Sequence, residues 1–146
     1  MAHVHGKDYP ERLFYDLANQ IWYEPLDDGT IRAGFTPIAI ELTGEVLVFT
    51  PRRIGKDFEA QSSFAIIECG KCAFSACAAF SGVVVCANEA LERRPGLLNE
   101  DAFGAGWMLI VRSADPDWRD GLVTGSAIAA AFAGWISSEA GKHRKQ

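Results

Sequence analysis

The residues with the clearest chemical potential form one short stretch, residues 68–72 (ECGKC). An apolar run, 64–67, precedes it, and a run of small and apolar residues, 72–80, follows it. Two strands separated by two residues, the first a glycine, are typical of a tight hairpin with a type II′ turn. We therefore expect Gly70 to have a positive φ and Lys71 to stand at an exposed tip, as an attachment point. A lysine that is merely solvated at a turn is the alternative.

The four cysteines are a competing signal. They follow the order C-x2-C-x4-C-x8-C at Cys69, Cys72, Cys77 and Cys86, which loosely resembles the spacing of a metal or iron–sulfur site. Cys77 and Cys86 are expected inside strands, where a free cysteine often fills core, so we predict no metal centre. In a two-residue hairpin Cys69 and Cys72 are directly opposed, with Cα atoms about 5.5 Å apart. They are candidate redox partners, or else small residues tolerated at a turn.

Other common catalytic arrangements are not expected. The histidines, His3, His5 and His143, all lie in terminal segments, whereas a catalytic base needs a fixed position. Residues 104–106 (GAG) precede a predicted strand rather than a helix, so they are not a dinucleotide-binding fingerprint. We identify no catalytic residue.

Composition limits the partners and the compartment. With 146 residues, of which 49% are hydrophobic and 23% charged, the chain fits one globular domain. Its net charge of -5 argues against nucleic-acid binding, because phosphates need neutralising cations. The N-terminus has no continuous apolar run, and the apolar stretch 127–136 is too short to cross a bilayer. We therefore expect a cytoplasmic protein that makes no membrane contact, with reduced cysteines.

Apolar runs predict a β-dominated fold. The predicted strands are residues 22–25, 31–35, 45–50, 64–69, 72–80, 83–87 and 107–111. A weak internal repeat relates 44–48 (GEVLV) to 82–86 (GVVVC), and 64–67 (FAII) to 107–110 (WMLI). Each half is therefore strand, loop, strand, and such duplicated layers close well as a flattened barrel or sandwich. The lysine hairpin joins the two halves at an exposed end.

Helices are predicted around the strands. Apolar positions 13, 17 and 21 have helical spacing, which favours a short helix or turn over residues 9–16. Thr36 as N-cap and Pro37 as first helical residue predict a helix over 37–42, which Gly44 ends. Asn88 is a candidate N-cap for a single helical turn over 89–92. Asp115 is expected to start a C-terminal helical region, in which positions 128, 132, 135 and 136 share one packing face.

A family resemblance begins at the lysine. Residues 68–73 (ECGKCA) look like the Glu-Ser-Val-Lys-Ala segment of glycine cleavage system H proteins, whose lysine carries lipoate in amide linkage. Residues 28–34 (DGTIRAG) are similar to the family's opening hairpin, and 36–39 (TPIA) to the start of its short helix. Residues 95–107 (PGLLNEDAFGAGW) also follow the family closely, so that the resemblance covers roughly residues 16–111.

The resemblance implies a mainly β barrel-sandwich hybrid of the lipoyl/H-protein type, with short peripheral helices and a C-terminal helix. It implies a single lipoyl-carrier domain over residues 1–146, with a core at about 16–112 and a helical extension at 115–140. By resemblance, lipoate is attached covalently to Lys71, Glu68 is read by the lipoylating ligase, and Gly70 makes the turn. Such a protein is a carrier and not an enzyme, because the reactive group is the cofactor's.

Departures from the family point to a variant branch. Gln20 stands where the family usually has histidine, and Cys69 and Cys72 are not typical of glycine cleavage carriers. Residues 9–16 (YPERLFYD) resemble the lipoate-binding proteins of bacterial sulfur oxidation, which work with a heterodisulfide-reductase-like complex. This implies a lipoyl arm on Lys71 that carries sulfur intermediates, with that complex and a lipoate-protein ligase or lipoyl synthesis enzymes as partners. The alternatives are a glycine cleavage H protein carrying an aminomethyl group and a cysteine-based redox or metal-binding protein.

Overall fold

The computed structural model of the protein describes residues 1–144, and side chains as far as Ser138. The strands are β1 (Ala2–Val4), β2 (Lys7–Tyr9), β3 (Phe14–Asp16), β4 (Ile21–Pro25), β5 (Ile31–Phe35), β6 (Val46–Pro51), β7 (Asp57–Phe58), β8 (Ser63–Cys69), β9 (Ala73–Cys77), β10 (Gly82–Ala87) and β11 (Leu109–Ser113). The helices are α1 (Pro37–Thr43), α2 (Glu89–Arg93), α3 (Leu97–Glu100) and α4 (Ile128–Arg144), with a 3₁₀ turn at Gly125–Ala127 before α4. No helix within residues 1–144 has the length and apolar character needed to cross a membrane.

The strands form antiparallel sheets around a shared core. A six-stranded sheet has the order β3-β4-β5-β11-β10-β7, and a three-stranded sheet has the order β6-β8-β9. One hydrophobic cluster contains buried residues of both sheets, among them Tyr23 and Val84 from the larger sheet and Phe49 and Ile67 from the smaller. The two sheets therefore pack face to face, and the predicted mainly β barrel-sandwich fold with short helices and a C-terminal helix is confirmed.

The internal repeat corresponds to two equivalent strand pairs. β6 pairs with β8, and β10 pairs with β11, both antiparallel. The register shifts between Val46 and Val48 in β6, and between Val84 and Cys86 in β10. These are the same positions of the repeated GEVLV and GVVVC sequences, so each half carries a bulge at one place.

Two local interactions shape α1 and the packing of β4 against β5. The Thr36 side chain accepts a hydrogen bond from Ala39 N at 3.3 Å, and Gly44 ends α1 with φ 87°, as the capping signals predict. Trp22 is fully buried on β4, and its indole N–H donates to the Ala102 carbonyl at 3.1 Å. That close packing depends on Gly34, where a Cβ atom would lie 2.6 Å from the Trp22 ring.

Of the short helix or turn predicted over residues 9–16, the turn is present and the helix is not. This segment contains the end of β2 and the whole of β3, with a turn between them rather than a helix. Tyr15 forms an isolated β-bridge with Val123, in which each backbone N–H donates to the other residue's carbonyl at 2.8 and 2.9 Å. On its other edge β3 pairs antiparallel with β4, the next strand along the chain. Strand pairing on both edges therefore outweighs the helical spacing of the apolar positions.

The C-terminal helical region begins later than the predicted start at Asp115. Residues 116–121 form turns, because the Asp115 side chain accepts from Asp117 N at 2.8 Å and Gly121 has a φ of 83°. The helical part is the 3₁₀ turn followed by α4, which extends past the predicted residue 140 to Arg144. The predicted packing face is confirmed: Ile128 and Phe132 are fully buried against the N-terminal strands, and Trp135 and Ile136 pack beside them.

Candidate functional site

Lys71 lies at the end of the β8–β9 hairpin. The two strands pair through Glu68 with Ala73 and continue one step further, where Cys69 N donates to the Cys72 carbonyl at 2.9 Å. Gly70 and Lys71 make the connection between them, and both are exposed. The expectation of an exposed lysine at a hairpin tip is therefore confirmed.

The predicted type II′ turn was wrong. That turn requires a positive φ at its first central residue, and Gly70 is not in the positive-φ region. The backbone hydrogen bonds described at the tip run from Cys69 N to Cys72 O, without the reverse bond from Cys72 N to Cys69 O that closes a standard turn. A Cβ atom on Gly70 would meet nothing within 4 Å. The connection is an open turn that does not require glycine.

The Lys71 amine is free to be modified. Among residues 1–138, whose side chains the structure describes, no ion pair or hydrogen bond involves the Lys71 side chain. A groove of about 440 Å³ lies beside the tip. It is lined by the tip residues 69–72, by apolar side chains, and by Thr43 and Glu45. A free primary amine next to an apolar groove fits a cofactor that consists of a carboxylic acid on a hydrocarbon chain.

The groove was not anticipated from the sequence. Its apolar lining comes from three separate places: Leu42 at the end of α1, Leu47 at the β6 bulge, and Phe74 on β9. Leu42 is 60% exposed and Leu47 is 51% exposed, so both side chains present apolar surface to this groove. In the sequence, Leu42 and Leu47 are simply apolar residues on either side of Gly44. This local pattern does not predict that they lie beside Lys71.

Glu68 lies on the outer face of the three-stranded sheet. It is exposed, and it pairs with Val48 on β6 and Ala73 on β9. Ile66, two residues earlier on the same strand face, is also exposed. A protein that approaches Lys71 from this side can therefore contact Glu68, and its role in ligase recognition stays a prediction.

Cys69 and Cys72 lie opposite each other across the tip, as predicted. The Cys69 thiol donates to the Cys72 carbonyl oxygen at 3.3 Å, the same oxygen that accepts the Cys69 backbone N–H. Both cysteines are free thiols; Cys69 is half-buried and Cys72 is exposed. Their placement brings two free thiols beside Lys71.

The other candidate ligands are dispersed. Cys77 lies at the far end of β9, and Cys86 lies in β10 of the other sheet; both are half-buried, as predicted. Across the described residues, no group of three or more histidine, cysteine, aspartate or glutamate side chains is arranged to hold a metal ion. His3 and His5 are exposed beside Asp8 and Glu41, respectively, while the side chain of His143 lies outside the described part.

Comparisons with known proteins agree with this geometry. The family model "Glycine cleavage H-protein" matches residues 13–133. "Glycine cleavage system H protein 5" of Aquifex aeolicus is 37% identical over 121 residues, covering 80% of this chain and 81% of the relative. "Glycine cleavage system H protein 2" of the same organism is 34% identical over 132 residues, covering 89% and 81%.

A solved structure supports the same assignment. The crystal structure of a glycine cleavage system H protein from Mycobacterium marinum superimposes with a TM-score of 0.74 at 26% identity, covering 86% of this chain and 99% of that one. The family model, the relatives and the fold all lead to one conclusion. The chain belongs to the glycine cleavage H-protein family, whose members are carriers with lipoate attached covalently to a lysine.

Proposed function

We propose that this protein carries its lipoate on Lys71 and presents it to partner enzymes, without being an enzyme itself. The observation that carries the proposal is the exposed lysine at the end of a paired hairpin, unpaired among the side chains that the structure describes, in a chain of this family. When bound, lipoate supplies a cyclic disulfide at the end of a flexible arm. The hairpin holds the base of that arm, since pairing continues to the residues on either side of the Gly70–Lys71 connection.

The attachment is tested by the mass of the intact protein. Lys71→Arg keeps the positive charge and has the same exposed environment, but it lacks the primary amine that forms the amide. The native protein, produced with a lipoate-protein ligase, is expected to gain the mass of one lipoyl group, and the variant none. A lipoylated Lys71→Arg protein would disprove attachment at this position. Circular dichroism of both proteins provides the control for folding.

Glu68 is proposed as a residue that the lipoate-attaching enzyme reads. Its exposure on the outer face of the sheet, near Lys71, supports the proposal. Glu68→Gln should fold normally and slow lipoylation, because it removes the charge and keeps the shape. Ser75→Ala is a matched control, since Ser75 is exposed on the neighbouring strand, paired with Ile66. Equal lipoylation rates for the two variants would remove Glu68 from recognition.

The first proposed cargo is the aminomethyl group of glycine cleavage. The names of the relatives in Aquifex aeolicus and Mycobacterium marinum support it, as does the family model. On this proposal the partners are the glycine-decarboxylating and aminomethyl-transferring enzymes, which read the tip and the groove. The test is a reconstituted glycine cleavage assay with this protein as the only lipoyl carrier. Release of carbon dioxide that depends on lipoylated Lys71 is the expected result.

The second proposed cargo is sulfur, with a heterodisulfide-reductase-like complex as partner. The observation in its favour is the pair of free thiols, Cys69 and Cys72, on both sides of Lys71. A partner enzyme that transfers sulfur would contact these two thiols when it approaches the lipoyl arm. Without carbon dioxide release in the glycine assay, a sulfur donor such as a persulfide becomes the relevant substrate. Mass spectrometry of the reduced, lipoylated protein after exposure to persulfide then measures sulfur uptake on the arm.

The domain boundaries are also proposed. We infer one carrier domain over residues 1–146, with the sheets of about residues 16–112 as its core. The buried contacts of Tyr9, Trp22, Ile128 and Phe132 in one cluster support including both ends of the chain. A protein that ends at residue 112 should then be less stable than the full chain in urea.

A further inference from the structure

The lipoyl lysine lies inside a Cys-x-x-Cys sequence. Residues 69–72 are Cys-Gly-Lys-Cys, and the two central residues of this motif are the hairpin connection itself. Cys-x-x-Cys pairs are the common dithiols of redox proteins, because the short spacing lets the two thiols form one disulfide. Here the position between the thiols is the proposed attachment point of a second, cyclic disulfide.

The geometry of the hairpin brings the thiols together. Cys69 N donates to Cys72 O at 2.9 Å, so the two residues stand opposite each other one step beyond the last paired residues of the hairpin. Opposed residues of antiparallel strands have Cα atoms about 4.5–5.5 Å apart, inside the range of roughly 4.4–6.8 Å found for disulfides. The Cys69 sulfur already lies 3.3 Å from the Cys72 carbonyl oxygen. The position of the two residues is therefore compatible with a disulfide between them.

The two thiols also lie on the groove side of the hairpin. Ile67 pairs with Phe74, and Cys69 and Cys72 each lie two residues closer to the tip on the same face. Both cysteines line the groove that Lys71 also borders. Groups tethered to one short flexible linker meet at effective concentrations in the millimolar range, so a group on Lys71 encounters these thiols far more often than free molecules do.

We propose that Cys69 and Cys72 form a two-electron dithiol–disulfide couple that exchanges directly with the dithiolane on Lys71. The inference rests on the proposed attachment of lipoate to that lysine. An S–S bond forms between the Sγ atoms of Cys69 and Cys72 as the S–S bond of the ring breaks. The two cysteine thiols release two protons and two electrons, which pass to the two sulfurs of the opened ring. The reverse exchange restores both, so no further oxidant or reductant takes part.

The exchange gives the chain its own means of opening the ring. A carrier of this kind holds cargo on a reduced arm, so cysteines that reduce the arm prepare it for loading. Cys77 has no such access, because it stands at the far end of β9, roughly 13 Å from Ala73 at a strand rise of about 3.3 Å per residue. Cys77 is half-buried like Cys69, which makes Cys77→Ser the matched control.

The test follows the disulfides of the intact, lipoylated protein. Fully reduced protein receives one equivalent of the oxidant diamide, and fully oxidised protein receives one equivalent of a phosphine reductant. After alkylation, peptide mass spectrometry measures the fraction of Cys69–Cys72 disulfide and of closed ring. If the two disulfides exchange, the ratio of Cys69–Cys72 disulfide to closed ring should be the same from both starting points, and both disulfides should be present. In Cys72→Ser the ring should account for all the oxidation, and Cys77→Ser should match the native protein.

Rate and attachment are measured separately. Oxidation of the cysteines by free lipoamide at about 10 µM, in the Lys71→Arg protein, should be about a hundredfold slower than within the lipoylated chain, from the ratio of concentrations. The proposed exchange would be disproved if Cys69 and Cys72 were always alkylated as free thiols. It would also be disproved if the ratio of the two disulfides stayed different for the two starting points. Loss of the lipoyl mass from the native protein would instead overturn the attachment, and the intact mass reveals that before the exchange is measured.

Discussion

The same substitution at two glycines should have opposite effects, and the reason lies in what each new methyl group meets. At Gly34 a Cβ atom would lie 2.6 Å from two carbons of the Trp22 ring and 2.7 Å from its nitrogen. Trp22 is fully buried and its N–H is hydrogen-bonded to the Ala102 carbonyl at 3.1 Å, so the ring has no free space to enter. At Gly70 a Cβ atom meets nothing within 4 Å, and φ is not positive.

The expected cost follows from these distances. Overpacking of a filled core costs about 1–3 kcal/mol, and displacement of the indole adds about 1–3 kcal/mol if its buried hydrogen bond is lost. Gly34→Ala should therefore lower the free energy of unfolding by about 2–6 kcal/mol when both costs apply. Gly70→Ala should be neutral or stabilising by up to about 1 kcal/mol, because alanine restricts the unfolded chain.

Urea unfolding at pH 7, followed by tryptophan fluorescence, measures both variants against the native protein. Lipoylation, measured by intact mass, should be retained in Gly70→Ala, because the open turn tolerates a side chain. A Gly34→Ala protein as stable as the native one would contradict the close contact with Trp22. A Gly70→Ala protein destabilised by more than about 1 kcal/mol would restore the type II′ turn, in which alanine takes a left-handed conformation.

Three further outcomes follow from the structure. Phe132→Ala should lower the free energy of unfolding by about 3–5 kcal/mol, because this fully buried ring packs α4 against the N-terminal strands. Thermal unfolding measures the change, and a loss below about 1 kcal/mol would contradict this packing. Burial raises the pKa of Tyr9 from 10.0 to about 12, so the unfolded chain loses this proton at a lower pH than the folded protein. The free energy of unfolding should therefore fall between pH 10 and 12. Urea titrations should show a shallower fall for Tyr9→Phe. Cys69→Ser/Cys72→Ser should be lipoylated like the native protein yet transfer sulfur poorly, and unchanged transfer would make both cysteines chemically silent.

The local part of the fold followed from the sequence because the responsible hydrogen bonds are local. Thr36 caps α1 through Ala39, three residues ahead, and Gly44 closes the same helix. The Asn88 side chain likewise accepts from Leu91 N at the start of α2. In each case the residue type and its partner lie within one helical turn, so the pattern contains the whole interaction.

The chemistry of the tip was also visible in the sequence. The sequence predicts an exposed Lys71 between two opposed cysteines, because a two-residue connection in a hairpin determines which residues lie opposite each other. What the sequence missed was the groove, since its apolar lining combines Leu42 from α1 with Leu47 from a β6 bulge. Residues from separate elements meet only when the sheets are packed, and no spacing along the chain records that contact.

The sequence by itself therefore determined the strands of the hairpin, the capped helices and the reactive lysine with its two neighbouring thiols. The tertiary structure decided that residues 14–16 are extended, because they pair with β4 on one edge and Tyr15 bridges to Val123 on the other. It also decided that Gly70 needs no special backbone conformation, because the turn is held by strands that pair up to Cys69 and Cys72. A strand's partner is chosen by the packing of the whole domain, so strand pairing is the part of the fold that local sequence specifies least.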